Sequence, residues 1–165
     1  MAKRLVLLLI VVATVSVSAE SAIDYYIRLN MAREEAGLAP VTPLVSLETL
    51  AHNYGFIMRQ HNHTITGPIN AHDYITDRER ANAIRQLSST VGERHIIDSA
   101  YRMSEIILTF GRWREGLYTD SFYGWRDSPD HHYAQMHPDV MWIGMAIVRS
   151  PNGGAYAVGY VLYVE

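Results

Sequence analysis

The chain contains no cysteine, and its only lysine is Lys3. Without cysteine there is no disulfide, no thiolate nucleophile, no thiolate-ligated zinc and no lipid-modified cysteine anchor, so the core alone must hold the fold. Without lysine beyond the extreme N-terminus there is no Schiff-base chemistry and no Ser-Lys dyad. Charged residues make up only 19% of the chain and the formal charge is -3. That leaves no basic face for a phosphate backbone and argues against nucleic acid as a partner. The patterns GxxxxGK, GxGxxG, HExxH and GxSxG are missing too, which removes the usual signatures of phosphate loops, dinucleotide folds, zinc proteases and serine esterases. Internal repeats and low-complexity linkers are absent as well.

What is present begins with an export signal. Lys3 and Arg4 precede an apolar run over residues 5–15, and Val17-Ser18-Ala19 forms a small-residue cleavage site. The pattern reads as a signal peptide over residues 1–19, cut after Ala19, which leaves residues 20–165 as a single domain. The apolar run is too short to span a membrane as a mature helix. The expected location is extracytoplasmic, either secreted or periplasmic. A hydrophobic content of 48% over 165 residues suffices for one core.

Local patterns place the elements. Ser21, with Asp24 three residues on, predicts a capping box. The helix it opens carries Ile23, Tyr26, Ile27 and Met31 on one face and ends at Gly37. Residues 38–43 read as a proline-punctuated connector. A second helix starts near Ser46, buries Leu47, Leu50, Ala51, Tyr54, Ile57 and Met58, and runs out by His63. Residues 69–101 carry the weakest pattern: Asp77 is expected to cap a short helix bearing Ala81, Ile84 and Leu87, which Gly92 breaks. Residues 106–110 read as a short strand, 111–119 as loop and 120–127 as a short helix. Ser128-Pro129 reads as an N-cap with proline at the first helical position, the serine oxygen taking an amide proton. Residues 140–148 and 155–164 are two strands joined by a hairpin loop at 150–154. Helices first and a hairpin last predict an α+β layered domain.

Three places offer site chemistry: His61-x-His63, Glu105 and His131. His131 falls in the first turn of its helix, where the positive end of the dipole disfavours imidazolium and keeps the ring in the form that a metal or a general base requires. Two imidazoles from separate elements suit Zn²⁺ with open positions; a polar cluster that only knits helix to sheet reads equally well. His61, His132 and His137 are expected to be solvated, and Trp125, Trp142 and the late tyrosines to be core or cleft wall. Asn62-His63-Thr64 matches a glycosylation sequon and is taken as chance.

In order along the chain, Leu29-Asn30-x-x-Arg33-x-x-x-Gly37-Leu38-x-Pro40, His63-Thr64, Ser104-Glu105-Ile106, Trp125-x-x-Ser128-Pro129-x-His131 and Ile143-Gly144-Met145-Ala146 resemble the CAP superfamily, the cysteine-rich secretory, antigen 5 and pathogenesis-related 1 proteins with their SCP domain. The cysteine-free form is similar to the bacterial branch. The resemblance implies a three-layer α-β-α sandwich with a central antiparallel sheet and a large cleft lined by two histidines and two acidic residues. Matched position by position, these are His63, His131, Glu105 and, by order alone, Glu115, with zinc or another divalent metal on the histidines. Two departures stand out: Ser104 and Ile106 flank the acid where the family has Gly and Asn, and Asp130 precedes His131 where it has Gly. The expected function is a secreted binding module for an apolar or extended ligand such as a lipid, sterol or cell-wall fragment. The alternatives are a hydrolase using His63, Glu105 and His131, or Ser104 with a neighbouring histidine, and a protein-interaction domain acting through its rim loops.

Overall fold

The structure, a computed structural model, describes residues 21–64, 67, 69–88 and 91–164. The signal peptide expected over residues 1–19 lies outside these. Among the described residues no helix is long and apolar enough to cross a membrane.

Helix α1 (Ala22–Glu35) starts as its sequence demands: the Ser21 amide donates to the Asp24 carboxylate at 2.8 Å. It stops where Gly37 adopts φ +72° and lets the Leu38 amide turn back to the Arg33 carbonyl at 2.8 Å. The buried stripe is Tyr25, Tyr26, Leu29 and Arg33. Ile23, Ile27 and Met31, expected on the buried face, are 64%, 54% and 57% exposed. The connector that follows is a two-residue strand, β1 (Thr42–Pro43), parallel to the strand β3 (Val140–Arg149). Helix α2 (Val45–Gln60) then crosses the sheet. It lies so close to β3 that a Cβ on Gly144 would sit 2.3 Å from the Glu48 amide nitrogen.

Residues 69–101 are more regular than their sequence suggests. Helix α3 (Asp77–Leu87) is capped by Thr76, not Asp77; the Glu79 amide donates to the Thr76 hydroxyl at 3.2 Å, and the Thr76 amide donates to the Glu79 carboxylate at 2.7 Å. Gly92 breaks nothing, because it is the second residue of a further helix, α4 (Val91–Ser99). Strand β2 (Ala100–Phe110) is twice the length of its apolar run. Its first half is polar because it is an edge strand and only half-buried. Helix α5 (Leu117–Arg126) starts three residues before its expected first residue. Helix α6 (Pro129–Met136) has proline at its start as expected, but the Ser128 side chain makes no cap bond.

The sheet order is β1-β3-β4-β2, with β4 (Ala155–Val164) antiparallel to both neighbours. Alternation along β4 builds two cores. Ala157, Val161 and Tyr163 join Tyr25, Leu29, Phe122 and Trp125 on the face of α1, α5 and α6. Val158, Tyr160 and Leu162 join Leu50, Tyr54, Met58, Ile84 and Ile97 on the face of α2, α3 and α4. Helices on both faces of one sheet make the three-layer sandwich that the resemblance implies.

Candidate functional site

Glu105 is the centre of the polar chemistry. It faces Tyr160 across the β2–β4 pair, on the α2 side of the sheet, and its side chain is only 5% exposed. Three donors converge on its carboxylate. The Tyr160 hydroxyl and Arg80 Nε (3.1 Å) donate to one oxygen, and His72 Nδ1 lies 2.9 Å from the other. A carboxylate only accepts, so Nδ1 carries the proton and Nε2 is the nitrogen left for a ligand. Burial and the Glu105 charge together raise the Tyr160 pKa, and Tyr54 is pushed up to about 12 by burial and then by Glu105. Both phenols are therefore donors throughout the physiological range.

Arg80 holds the loop that carries His72. Its guanidinium donates to the carbonyls of His72 (2.8 Å) and Ile75 (3.1 Å) and also pairs with Asp77. The Thr76 cap sets this up by starting α3 one turn before Arg80, whose amide donates to the Thr76 carbonyl at 3.0 Å.

His131 reaches the same place from the other layer. From the first turn of α6 its ring lies 6.4 Å, centroid to centroid, from that of His72. Its Nδ1 is buried with no hydrogen-bond partner. Its pKa is lowered, first by burial and then by His72, with Asp130 opposing. The direction is the one expected from the sequence; burial is its leading cause.

The other sequence candidates lie elsewhere. His63 is 8% exposed; its Nδ1 is 2.8 Å from the Tyr74 hydroxyl, and its ring meets Tyr74 and Tyr156 edge-on. The ring that meets Glu105 and His131 is that of His72. His63 and His72 share a groove of about 590 Å³ with Ile69, Ala71, Ile107 and Leu108. Glu115 lines a separate hollow with Trp113, Leu117 and Ile147. His61 stacks on Tyr74, and His132 is exposed. His137, expected in solvent, is half-buried against Tyr133 and Tyr163. Nothing in the spacing marks His72, which sits in the stretch of weakest pattern. The Thr76–Glu79 capping box was the one local signal that could have anchored α3 and placed Arg80.

The fit to a metal is incomplete. An imidazole tethered to a carboxylate is how many metal ligands are oriented, but both Glu105 oxygens are engaged. Among the described residues no group of three or more histidines and acidic residues could hold an ion. Two imidazoles fall short of the three protein ligands of a catalytic zinc.

The profile of the cysteine-rich secretory protein family, CAP, matches residues 26–164. The chain belongs to that family. Similar solved structures include an outer surface protein of Borrelia burgdorferi, at 16% identity over 89% of this chain and 98% of that one, with a TM-score of 0.58. An extracellular SCP-domain protein of Bacillus anthracis follows at 14% identity, TM-score 0.56, and a cysteine-rich secretory protein of Staphylococcus aureus at 15%, TM-score 0.53. This CAP chain spans 39% and 38% of those two proteins. At such identities the likeness is one of fold. No curated protein matches the chain significantly.

The fold explains one departure of this CAP domain from the family pattern. Ile106 points to the face opposite Glu105, where it is 1% exposed in the core beside Trp125 and Gly159. The apolar residue after the acid is a packing residue.

Burial also lowers the pKa of His63. For both His63 and His131 the folded value lies below the unfolded value of about 6.5, so the unfolded CAP chain takes up protons first on acidification. The stability they contribute is full above that pH and is lost as pH falls towards the folded values. The thermal midpoint is expected to drop between pH 7.5 and 5.5, and to drop less in His131→Gln. A midpoint that holds steady or rises on acidification would contradict the burial described here.

Proposed function

We propose that the protein is an exported binding domain that takes an elongated extracellular ligand in the cleft beside β2, with His72 and His131 as its hydrogen-bonding partners. The observation that carries this reading is the meeting of the two imidazoles across the layers, one partly exposed and tethered by a buried carboxylate, the other set against it from α6. Two grooves meet at His72. One, of about 590 Å³, is walled by Ile69, Ala71, Ile107 and Leu108; the other, of about 470 Å³, by Asp73, Asp77, Arg80 and Glu105. An amphipathic chain such as a lipid or a cell-wall fragment matches that division. Export is supported by the pattern of residues 1–19 and by the extracellular and outer-surface relatives.

Binding is favoured over hydrolysis because, among the described residues, no serine or threonine hydroxyl is hydrogen-bonded to the His72 or His131 ring. Ser104 lines the groove with His72 and Glu105 but alternates to the other face of the sheet from the Glu105–His72 pair, and Ser128 precedes α6. The Glu105–His72 pair does have the form of a base with its orienting group, so a water-activating hydrolase is the second reading.

The test is calorimetric titration of residues 20–165 with fatty acids, soluble peptidoglycan fragments and zinc, alongside peptide and ester turnover assays. Binding that weakens at least tenfold in His131→Ala and is unchanged in His61→Ala supports the reading. Any zinc bound through the pair should be lost in His72→Ala and kept in His63→Ala. Binding indifferent to both His72 and His131 would overturn the site. Turnover lost in His72→Ala would favour the hydrolase.

A further inference from the structure

The two edges of the sheet are treated differently. On one side, β3 is covered by β1, which brings Pro43 to that edge. On the other, β2 pairs with β4 alone, and its outward main-chain N–H and C=O groups have no partner among the described residues. Long edge strands are normally blunted by proline, by charge or by a covering element, because a row of free main-chain groups is a template for another strand. Among the described residues no strand pairs with this edge, which is flanked by two grooves. Met103, Ser104 and Glu105 line one groove, and Ile107, Leu108 and Thr109 the other. This stretch of strand is about 20 Å long at roughly 3.3 Å per residue.

The walls add side-chain preferences. The 590 Å³ groove offers Ile69, Ala71 and Ile107. The 470 Å³ groove offers the exposed carboxylates of Asp73 and Asp77. Asp73 has no cationic partner among the described residues. Among the described residues the only arginine or lysine lining either groove, Arg80, is already engaged by Glu105 and Asp77.

We propose that the occupant of the cleft is an extended polypeptide segment that adds to β2 as a fifth strand. An apolar side chain lies against Ile69 and Ile107, and a basic side chain lies towards Asp73 and Asp77. Main-chain pairing supplies the affinity and the two grooves supply the preference, which is the general logic of strand addition. A lipid tail or a glycan has no regular comb of amide donors and acceptors and would leave the edge unsatisfied. The inference rests on the cleft reading above and narrows it to one ligand class.

The test screens residues 20–165 against an array of random nine-residue peptides. The best binder is resynthesised with N-methyl groups on alternate residues, in each of the two registers. One register is expected to lose at least thirtyfold in affinity while the other is tolerated. Changing the peptide's basic residue to Glu should weaken binding, and Asp73→Lys should weaken binding of the parent peptide. Equal binding by both N-methylated registers would overturn strand addition. So would a dimer that forms through β2 of two copies and excludes the peptides. If no peptide binds while a fatty acid or peptidoglycan probe still binds through His131, the peptide inference falls and the cleft reading stands. If no probe binds, both fall.

Discussion

Glu105→Ala is expected to cost about 3–5 kcal/mol of unfolding free energy, the usual penalty for stranding the partner of a buried ion pair. The carboxylate is buried, and so are the two groups that lose most when it goes. Arg80 is 8% exposed and Tyr160 is fully buried. Burial acts to lower the Arg80 pKa, and the charge of Glu105 is the leading cause acting to raise it. Remove the carboxylate and the desolvation of the guanidinium is opposed by the exposed Asp77 and by the carbonyls of His72 and Ile75. His72 also loses its tether, so the same substitution should abolish ligand binding by whatever protein remains folded. The check is urea denaturation of Glu105→Ala, Arg80→Met and the double variant. The double variant is expected to be more stable than the sum of the single losses allows, with a coupling of at least about 1.5 kcal/mol. A loss below about 1 kcal/mol in Glu105→Ala would mean that the three-donor arrangement is not formed.

Arg33→Ala should be comparably damaging, for a different reason. This guanidinium is fully buried, and its described partners are carbonyls only: Ala39 at 2.7 Å, Gln135 at 2.6 Å, His137 at 3.1 Å and Val140 at 3.0 Å. The last carbonyls of α6 carry the negative end of its dipole and meet the charge in place of an anion. One planar fork thus ties α1 to the connector before β1, to the end of α6 and to the start of β3. Its loss leaves buried acceptors unpaired at about 1–3 kcal/mol each, incompletely additive, and a total of about 4 kcal/mol is expected. Arg33→Lys should recover less than half of that, because one ammonium cannot span the fork. Thermal midpoints of the three proteins decide it. A lysine variant as stable as the parent would show that charge alone matters at this position.

These two arginines also show where the sequence was legible. Arg33 and Asn30 stood in the motif that carried the family resemblance, and both prove to be architectural. Asn30 pairs with both main-chain groups of Val41. The α1 cap, α2 and the hairpin were readable because each is fixed by local chemistry: a capping box, a 3.6-residue stripe, two β-branched runs about a glycine turn. The first half of β2 was not, because an edge strand beside a cleft has no reason to alternate. His72 was unreadable for a related cause. It belongs to a loop positioned by Arg80 from one side and Glu105 from the other, and those contacts span 8 and 33 residues of chain. Glu105 and His131, both singled out in the sequence, are brought near one imidazole, but that imidazole is nine residues beyond the one the motif suggested.

The central claim is that the His72 and His131 rings face one another, with His72 held by Glu105. It is tested most directly by long-range ¹H–¹⁵N spectra and ring-to-ring nuclear Overhauser effects on ¹⁵N-histidine-labelled protein. The account predicts a proton on His72 Nδ1 that is lost from the spectrum in Glu105→Gln, and contacts from the His72 ring to that of His131. Ring contacts from His131 to His63 instead, with the Nδ1 proton of His72 exchanging freely with solvent, would contradict it.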